Sequence, residues 1–451
     1  MTESLEQWLG CEYRHAATAM LSSVSACDIV KERPGFGQIV RPLAGSIVAS
    51  PVPASYDPDP DYFFHWFRDS AIVIDAVRLL YEAGDLGAQA LTHFADFVRF
   101  SLSLQELDGR ALVASPRWRE KVTPDFVQYL RDDDLVNVSG DAVYADTRVN
   151  PDGTLDISRW PRPQHDGAPL RALAVLRWLR TLRAERGRAK ETVSAGTLAE
   201  AERLLRIDLA LTAGRWREPS FDLWEEELGL HYFTLRVSAA ALNEGAEWLR
   251  AAADTSHATA LRAEAQVILE TLDRFWQEDA GYYRSRIMPS GVSSTKTLDI
   301  AVILSAIHCA DGDGAHSAGD PRMRATLDKL EQLFDRLYPI NRERPRERGP
   351  AMGRYEGDAY YSGGAYYFST LGAAEFCFLA AAADAPGDVR NKWVARGDGF
   401  LETVRAFTPA SGDLAEQFDQ RTGEPTSAKH LAWSYAAFIS CATARRAVTF
   451  Q

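Results

Sequence analysis

The residues best equipped for chemistry lie in one stretch, Phe221-Asp222-Leu223-Trp224-Glu225-Glu226-Glu227-Leu228-Gly229-Leu230-His231-Tyr232-Phe233. A carboxyl group among indole and phenol rings suits a sugar. The C–H faces of the sugar stack on the aromatic rings, and its hydroxyls hydrogen-bond to the carboxylate. Such surroundings also raise a carboxyl pKa, which a general acid working near neutral pH needs. The plainer alternative is an acidic first helical turn, favoured by the helix dipole. The choice between them depends on what else shares the site.

Four further stretches have the same character. Asp61 to Ser70 places Arg68 and Asp69 at a helix start, behind Tyr62 and Trp66. Alone, it reads equally as an Asp N-cap with core aromatics. In Trp160 to Gly167 two prolines fix a turn that holds Trp160 and Arg162 at low entropic cost, and Asp166 reads as an N-cap. Gly353 to Tyr366 carries four tyrosines with Arg354, Glu356 and Asp358. Leu414 to Asp419 contains Glu416, a second carboxylate candidate that alone would be a solvated surface glutamate. Two carboxylates with an aromatic and Arg/Asp lining describe a glycoside-hydrolase pocket. The chain has no His-Glu-x-x-His helix, no Gly-x-Ser-x-Gly elbow and no phosphate-cradling glycine loop. No cofactor and no metal is expected, and the acidic run Asp132 to Asp134 reads as a solvated turn rather than a cation site.

The elements that must position these residues are helical. Apolar residues at three-to-four spacing predict twelve helices, at about 5–24, 69–83, 86–107, 168–184, 195–212, 233–253, 255–276, 295–309, 321–337, 365–383, 389–407 and 428–448. A long irregular segment separates the third and fourth, from Asp108 to Asp166, and residues 281–293 read as a small hairpin. Six antiparallel helix pairs closing in a ring would give an all-α, α/α barrel. Each chemistry-bearing stretch precedes an even-numbered helix. All of them would then open at one end of the barrel, on one pocket.

Composition narrows the classes. The 451 residues are 46% hydrophobic and 25% charged, ordinary for a globular chain with a sizeable core. A net charge of −13 argues against nucleic acid as a partner. No apolar run approaches the roughly 18 residues of a membrane span. Met1 to Leu9 does not read as a signal peptide, and the five scattered cysteines suit free thiols in a reducing compartment, so a cytoplasmic location is expected.

Taken together the residues resemble a known family. Ile47-Val48-Ala49-Ser50-Pro51, Trp66-Phe67-Arg68-Asp69-Ser70, Arg162-Pro163-Gln164-His165-Asp166-Gly167, Asp222-Leu223-Trp224-Glu225-Glu226, Gly353-Arg354-Tyr355 and Glu416-Gln417-Phe418-Asp419, followed by Trp433-Ser434-Tyr435-Ala436-Ala437, are similar in kind and order to the catalytic domain of glucoamylases, glycoside hydrolase family fifteen. The resemblance runs over essentially the whole chain, 1–451, as a single catalytic domain. It implies an (α/α)6 barrel that removes β-glucose from the non-reducing ends of α-1,4-glucans, with inversion. Glu225 would be the general acid and Glu416 the general base, held roughly 6.5–9.5 Å apart to admit a water. Arg68, Asp69 and Arg354 would bind the hydroxyls of the terminal glucose. Tyr62 and Trp66 would line its subsite, Trp160 would close over it, and Glu226 would bind the leaving sugar. Arg162, Leu223, Trp224, Asp358, Tyr360 and Trp433 complete the expected substrate-binding set.

The chain departs from the family pattern in three places. Arg354-Tyr355-Glu356-Gly357-Asp358 stands where Arg-Tyr-Pro-Glu-Asp is common, Tyr366 stands where a tryptophan is expected, and Phe67 replaces a small polar residue. These positions belong to the region expected to hold the second and later sugars. With neither a β-sandwich nor a starch-binding domain in evidence, soluble oligosaccharides are the expected substrate, and a monomer the expected state. The alternatives are an α-1,6-specific relative acting on isomaltose or dextran oligosaccharides, more distantly a trehalose-cleaving enzyme, and, from another class, a non-catalytic α-glucan-binding barrel.

Overall fold

In the computed structural model the described residues are 3–55, 58–115, 117–131, 133–184, 193–310 and 313–449. Helices form where the apolar spacing meets a cap. α1 (Leu5–Leu21) begins at Ser4, whose side chain accepts the Gln7 amide while the Gln7 side chain reaches back to the Ser4 amide. The other long helices are α2 (Phe67–Glu82), α3 (Ala88–Ser103), α4 (Gly167–Ala184), α5 (Ala195–Arg215), α6 (Tyr232–Ala251), α7 (Thr255–Leu272), α8 (Ala301–Cys309), α9 (Pro321–Leu337), α10 (Tyr367–Ala383), α11 (Asp388–Phe407) and α12 (Ala432–Thr449). α9 shows the sequence rule plainly: Asp320 caps it, and Pro321 fills its first position.

The even-numbered helices form a closed inner ring. α2 packs on α4, α4 on α6, α6 on α8, α8 on α10, α10 on α12, and α12 returns to α2. The odd-numbered helices lie outside, each against at least one even-numbered neighbour. This is an (α/α)6 barrel. The sequence separates the two rings by burial: α10 buries 14 of its 17 residues, whereas α11 buries seven of 20. An inner helix touches neighbours all round, so it is apolar all round. Close approach in the ring also needs small residues. A Cβ on Gly372 of α10 would lie 2.5 Å from Leu304 Cδ2 of α8.

The structure corrects the sequence reading in several places. The predicted hairpin at 281–293 is two pairings: Tyr282–Tyr283 turns back on Trp276–Gln277, while Arg286–Ile287 joins the strand Leu228–His231. The backbone of Ser285 accepts the Tyr232 amide, which draws the second half of the segment towards α6. α8 starts at Ala301 rather than 295, because Asp299 is held out of helical register by Trp224 and Arg286. The stretch 108–166 is not structureless. It contains the short helices Gly109–Ala114 and Arg117–Glu120 and several 3₁₀ turns. Within the acidic run, Asp132 lies outside the described residues, and Asp134 pairs with Arg131 at 2.8 Å. Among the described residues no helix is long and apolar enough to cross a membrane, and the five cysteines are free thiols.

The barrel axis is not wholly apolar. A cavity of about 200 Å³ lies beyond Phe368 and Trp433 and contains Asp75, Arg177 and Glu375. Asp75 accepts hydrogen bonds from Arg177 and Arg78, both at 2.6 Å, so its charge is compensated. Glu375 accepts one from the Ser440 hydroxyl at 2.5 Å, and burial pushes its carboxyl up to about 8. The folded protein therefore keeps a proton that the unfolded chain, with a value near 4.5, releases. Stability from this group is full below 4.5 and declines as pH rises to about 8. Glu375→Gln should leave stability nearly unchanged at pH 4 and raise it by about a few kcal/mol at pH 9, measured by urea denaturation. Equal effects at both pH values would contradict the buried neutral carboxyl.

Candidate active site

Glu225 and Glu226 stand at the tip of a hairpin, not in a first helical turn. The strands Ser220–Phe221 and Leu228–His231 pair, and α6 begins only at Tyr232. Asp222 organises the tip: its carbonyl accepts the Glu225 amide at 2.9 Å and its carboxylate accepts the Glu226 amide at 2.9 Å. Arg286 fixes Asp222 in turn, at 2.8 Å, and Gln164 donates to the Asp222 carbonyl at 2.9 Å. Glu225 is thereby held at φ +65°, a left-handed conformation that costs a residue with a Cβ about 1 kcal/mol or more. Strain of that size persists only where the surroundings impose it.

Three N–H donors meet the Glu225 carboxylate. Trp66 Nε1 donates to Oε1 at 2.7 Å, Arg68 Nη2 donates to the same oxygen at 3.3 Å, and Trp160 Nε1 donates to Oε2. Trp66 and Arg68 arrive at the start of α2, where the strand His65–Trp66 pairs with Arg148–Val149. Trp160 arrives from the proline-bounded turn ahead of α4.

Glu416 stands beside the strand Gln417–Phe418 and is 8% exposed. The Ser427 hydroxyl donates to its Oε2 at 2.5 Å, and the Tyr62 hydroxyl donates to Oε1 at 3.3 Å. Burial pushes the carboxyl up to about 7, against the lowering effect of the Ser427 bond and the Arg354 charge. The Tyr62 ring lies 5.2 Å from that of Trp66, so a single aromatic pair links the surroundings of the two carboxylates.

Charged groups line the rest. Arg68 lies 3.1 Å from Asp69, 3.6 Å from Asp166 and 3.3 Å from Glu225. Burial opposes its charge, but these three carboxylates more than offset that and hold it protonated. Burial also raises Asp69 and pushes Asp166 up to about 6. Arg68 Nε and Nη1 have no hydrogen-bond partner among the described residues, which leaves donors directed by the ion pairs alone. Glu226 accepts hydrogen bonds from Tyr355 at 2.7 Å, Lys296 at 2.6 Å and Arg354 at 3.1 Å. Phe368 and Trp433 stack at 4.3 Å and 4°, with Trp224 at 6.0 Å from Phe368, and together they floor the pocket.

Thirteen of the fifteen residues expected from the sequence line one cavity of about 260 Å³: Glu225, Glu416, Tyr62, Trp66, Arg68, Asp69, Trp160, Leu223, Trp224, Glu226, Arg354, Tyr360 and Trp433. Arg162 and Asp358 do not reach it. Arg162 is consumed by Asp146 and by Asp156, the latter at 2.7 Å, so it braces the turn that carries Trp160. Asp358 binds Arg354 at 2.7 Å and acts by holding that guanidinium. The family departures also lie off the pocket wall. Phe67 packs on Tyr144, the Tyr366 hydroxyl donates to Asp358, and Glu356 faces solvent beside Arg336. The sequence reading missed Ala49, Pro161, Phe368 and Leu431 in the lining, and the supporting roles of Arg286, Asp299, Lys296 and Ser427.

Known proteins resemble the chain in sequence and in fold. A family model described as glycosyl hydrolases family 15 matches residues 36–102, 147–390 and 387–443. A glucoamylase of Neurospora crassa is 29% identical over 445 residues, covering 90% of this chain and 64% of that protein. The chain therefore spans a little under two thirds of that relative. A probable glucoamylase of Schizosaccharomyces pombe is 29% identical over 442 residues, covering 90% of this chain and 85% of that protein. The solved structure of Hormoconis resinae glucoamylase superimposes with a TM-score of 0.77 at 27% identity, covering 98% of this chain and 74% of that one.

The carboxyl at Glu416 should titrate near pH 7 by carbon-13 NMR of labelled glutamate, with Glu416→Gln giving the assignment. Ser427→Ala removes a donor to the charged form, so the midpoint should move to higher pH. A midpoint near 4.5, or one indifferent to Ser427, would refute the assigned environment.

Proposed function

Because the chain belongs to glycosyl hydrolases family 15, we propose that its pocket removes terminal glucose from α-1,4-linked maltooligosaccharides, inverting the anomeric carbon. The observation that supports this most directly is that two carboxylates with different donor sets, Glu225 and Glu416, face one small cavity. In this reading Arg68, Asp69 and Arg354 orient the terminal sugar, whose faces meet Tyr62 and Trp66. Glu225 gives its proton to the glycosidic oxygen as the bond to the anomeric carbon breaks. Glu416 takes a proton from water as the water oxygen bonds to that carbon from the other side. Glu225 is left as a carboxylate and Glu416 as an acid, and exchange with solvent restores both.

The N–H groups of Trp66, Arg68 and Trp160 suit the negative charge that grows on Glu225 as its proton leaves. The held geometry brings sugar, acid and base together before the reaction, which removes much of the entropic barrier. Glu226, bound by Tyr355, Lys296 and Arg354, is placed to meet the leaving sugar. We also infer that the chain acts as one catalytic unit, and the five free thiols support a reducing compartment.

Glucose released from maltose and maltotriose should appear first as the β-anomer by proton NMR, with little release from isomaltose. β-Glucose from isomaltose alone would move the linkage to α-1,6. The α-anomer would remove Glu416 from its role, and no glucose at all would favour an α-glucan-binding barrel. Glu225→Gln and Glu416→Gln should each lower kcat by about 10²–10⁴-fold while substrate still binds. Near-parental turnover in either variant would end that residue's assignment.

A further inference from the structure

The cavity of about 200 Å³ on the barrel axis is divided from the active site by Phe368 and Trp433, which line both. α2 gives Arg68 and Asp69 to the active site and residues between 71 and 79 to this cavity. α12 gives Trp433 to both and residues between 436 and 444 to the lower one, so the two follow each other along the axis. Two features of the sequence open the space. Seven of its lining residues are alanine, among them Ala174, Ala436 and Ala437. α8 also stops after nine residues, where the other inner helices run for 16 to 20, and the cavity reaches its end at His308 and Ala310. Leu79 and Ala444, both half-buried, line the side towards the opposite mouth.

The charged groups around this space pair off, with one left over. Asp75 accepts from Arg177 and Arg78, and Arg78 also donates to Glu82 at 2.7 Å. Arg177 turns Nη2 to the carbonyls of His308, at 2.6 Å, and Cys309, at 3.2 Å, which closes the end of α8. Two arginines thus meet two carboxylates, and no further cation lines the cavity among the described residues. Glu375 is the surplus acid. It is 5% exposed, the Ser440 hydroxyl donates to its Oε1, and among the described residues no hydrogen bond reaches Oε2. Burial keeps it protonated to about pH 8, against the lowering effects of Ser440 and Arg177. The buried Nε2 of His308 also has no hydrogen-bond partner among the described residues. Burial and the Arg177 charge lower that imidazole to about 3, so it is neutral. A carboxyl without a counter-ion and an unpartnered imidazole nitrogen therefore line one cavity.

The chemistry of the walls narrows the occupant. An anion would meet a further acid and no unpaired cation, and a net charge of −13 disfavours it as well. A sugar or other polyol would set hydroxyls against Leu173, Leu304, Ile307 and the alanines, which offer them no partner. A bare metal ion would fill little of the space and would find too few oxygen ligands. A short alkylammonium answers each point. Its charge pairs with Glu375, another N–H reaches His308 Nε2, and its chain lies on the apolar wall. We propose that this cavity is a binding site for a small organic ammonium ion, held by Glu375 and His308 beneath the aromatic floor of the active site. The site is distinct from the two catalytic carboxylates and does not depend on the reaction assigned to them. Because the ammonium supplies the counter-charge that Glu375 lacks, its binding drives the Glu375 proton into solvent.

The probe is n-butylammonium, titrated calorimetrically into the full chain, with n-butanol as its uncharged counterpart. At pH 8 the amine should bind at least about tenfold more tightly than the alcohol. Binding at pH 7 should release close to one proton, read by repeating the titration in buffers of different ionisation enthalpy, and binding at pH 9 should release almost none. Glu375→Gln should weaken the amine at least about tenfold and abolish the proton release. Ala437→Leu, which fills the cavity and leaves the carboxyl in place, should exclude amine and alcohol alike. Glu375→Gln decides the matter if Ala437→Leu fails to fold. Absence of saturable binding, equal affinity for amine and alcohol, or an affinity indifferent to Glu375→Gln would overturn the site. So would loss of binding in Glu416→Gln but not in Glu375→Gln, since the amine would then occupy the active site instead.

Discussion

The site depends on one physical constraint, that charge removed from water must be paired. Arg286 carries the heaviest share. It lies 1% exposed at the side-chain level and binds Asp222 at 2.8 Å, Glu227 at 2.8 Å and Asp299 at 2.7 Å. Burial pushes Asp299 up to about 6 even so, while the Arg286 charge works against that rise. Without the guanidinium two buried carboxylates would lose their counter-charge, a change that typically costs about 3–5 kcal/mol. Asp222 sets the Glu225 turn and Asp299 anchors the Trp224 indole at 2.9 Å, so the same cation fixes an acid candidate and part of the pocket floor.

The barrel turns this local pairing into a common site. Asp69, Asp166 and Asp299 come from distant parts of the chain, yet each lies at or just ahead of the start of an inner helix, and the Glu416 carbonyl accepts the Tyr367 amide at the start of another. The positive end of the helix dipole faces them there, which favours carboxylates. The twelve-helix ring then brings the six inner N-termini together at one mouth. Neither the pairing nor the ring alone would suffice. The ring without Arg286, Arg68 and Arg354 would gather mutually repelling acids, and the pairs without the ring would be spread over the surface.

Residues with strong intrinsic chemistry could be read from the sequence. The tandem glutamates after Trp224 and the adjacent Arg68 and Asp69 have types and neighbours that limit what they do, and the helical periodicity placed them at one end. Less was legible where the outcome depends on a partner far along the chain. Whether Glu225 sits in a helix or a hairpin is decided by Asp222 and Arg286, 64 residues apart in the pair. Ser427 gives no signal by type, although its hydroxyl is the shortest contact of Glu416. Arg162 has the right type in the right motif, but Asp146 and Asp156 take up its donors. Strand pairing of two residues, as at Arg286–Ile287, leaves too short a pattern for any period to register.

The different donors at the two carboxylates separate their proposed roles. Indole and guanidinium N–H groups can donate but not accept. Around Glu225 all three donors are of that kind, and each bonds more strongly to a carboxylate than to a carboxylic acid. Those bonds tighten as the proton moves to the glycosidic oxygen and negative charge grows on Glu225. The surroundings thus complement the state after transfer more closely than the state before it, as transition-state stabilisation requires. At Glu416 the partners are the hydroxyls of Ser427 and Tyr62, which can donate or accept. Either protonation state can be satisfied there by rotating an O–H bond. A group that must take up a proton in every cycle and release it before the next needs that tolerance, and a group whose task is to give its proton away is helped by donors that favour the charge it is left with.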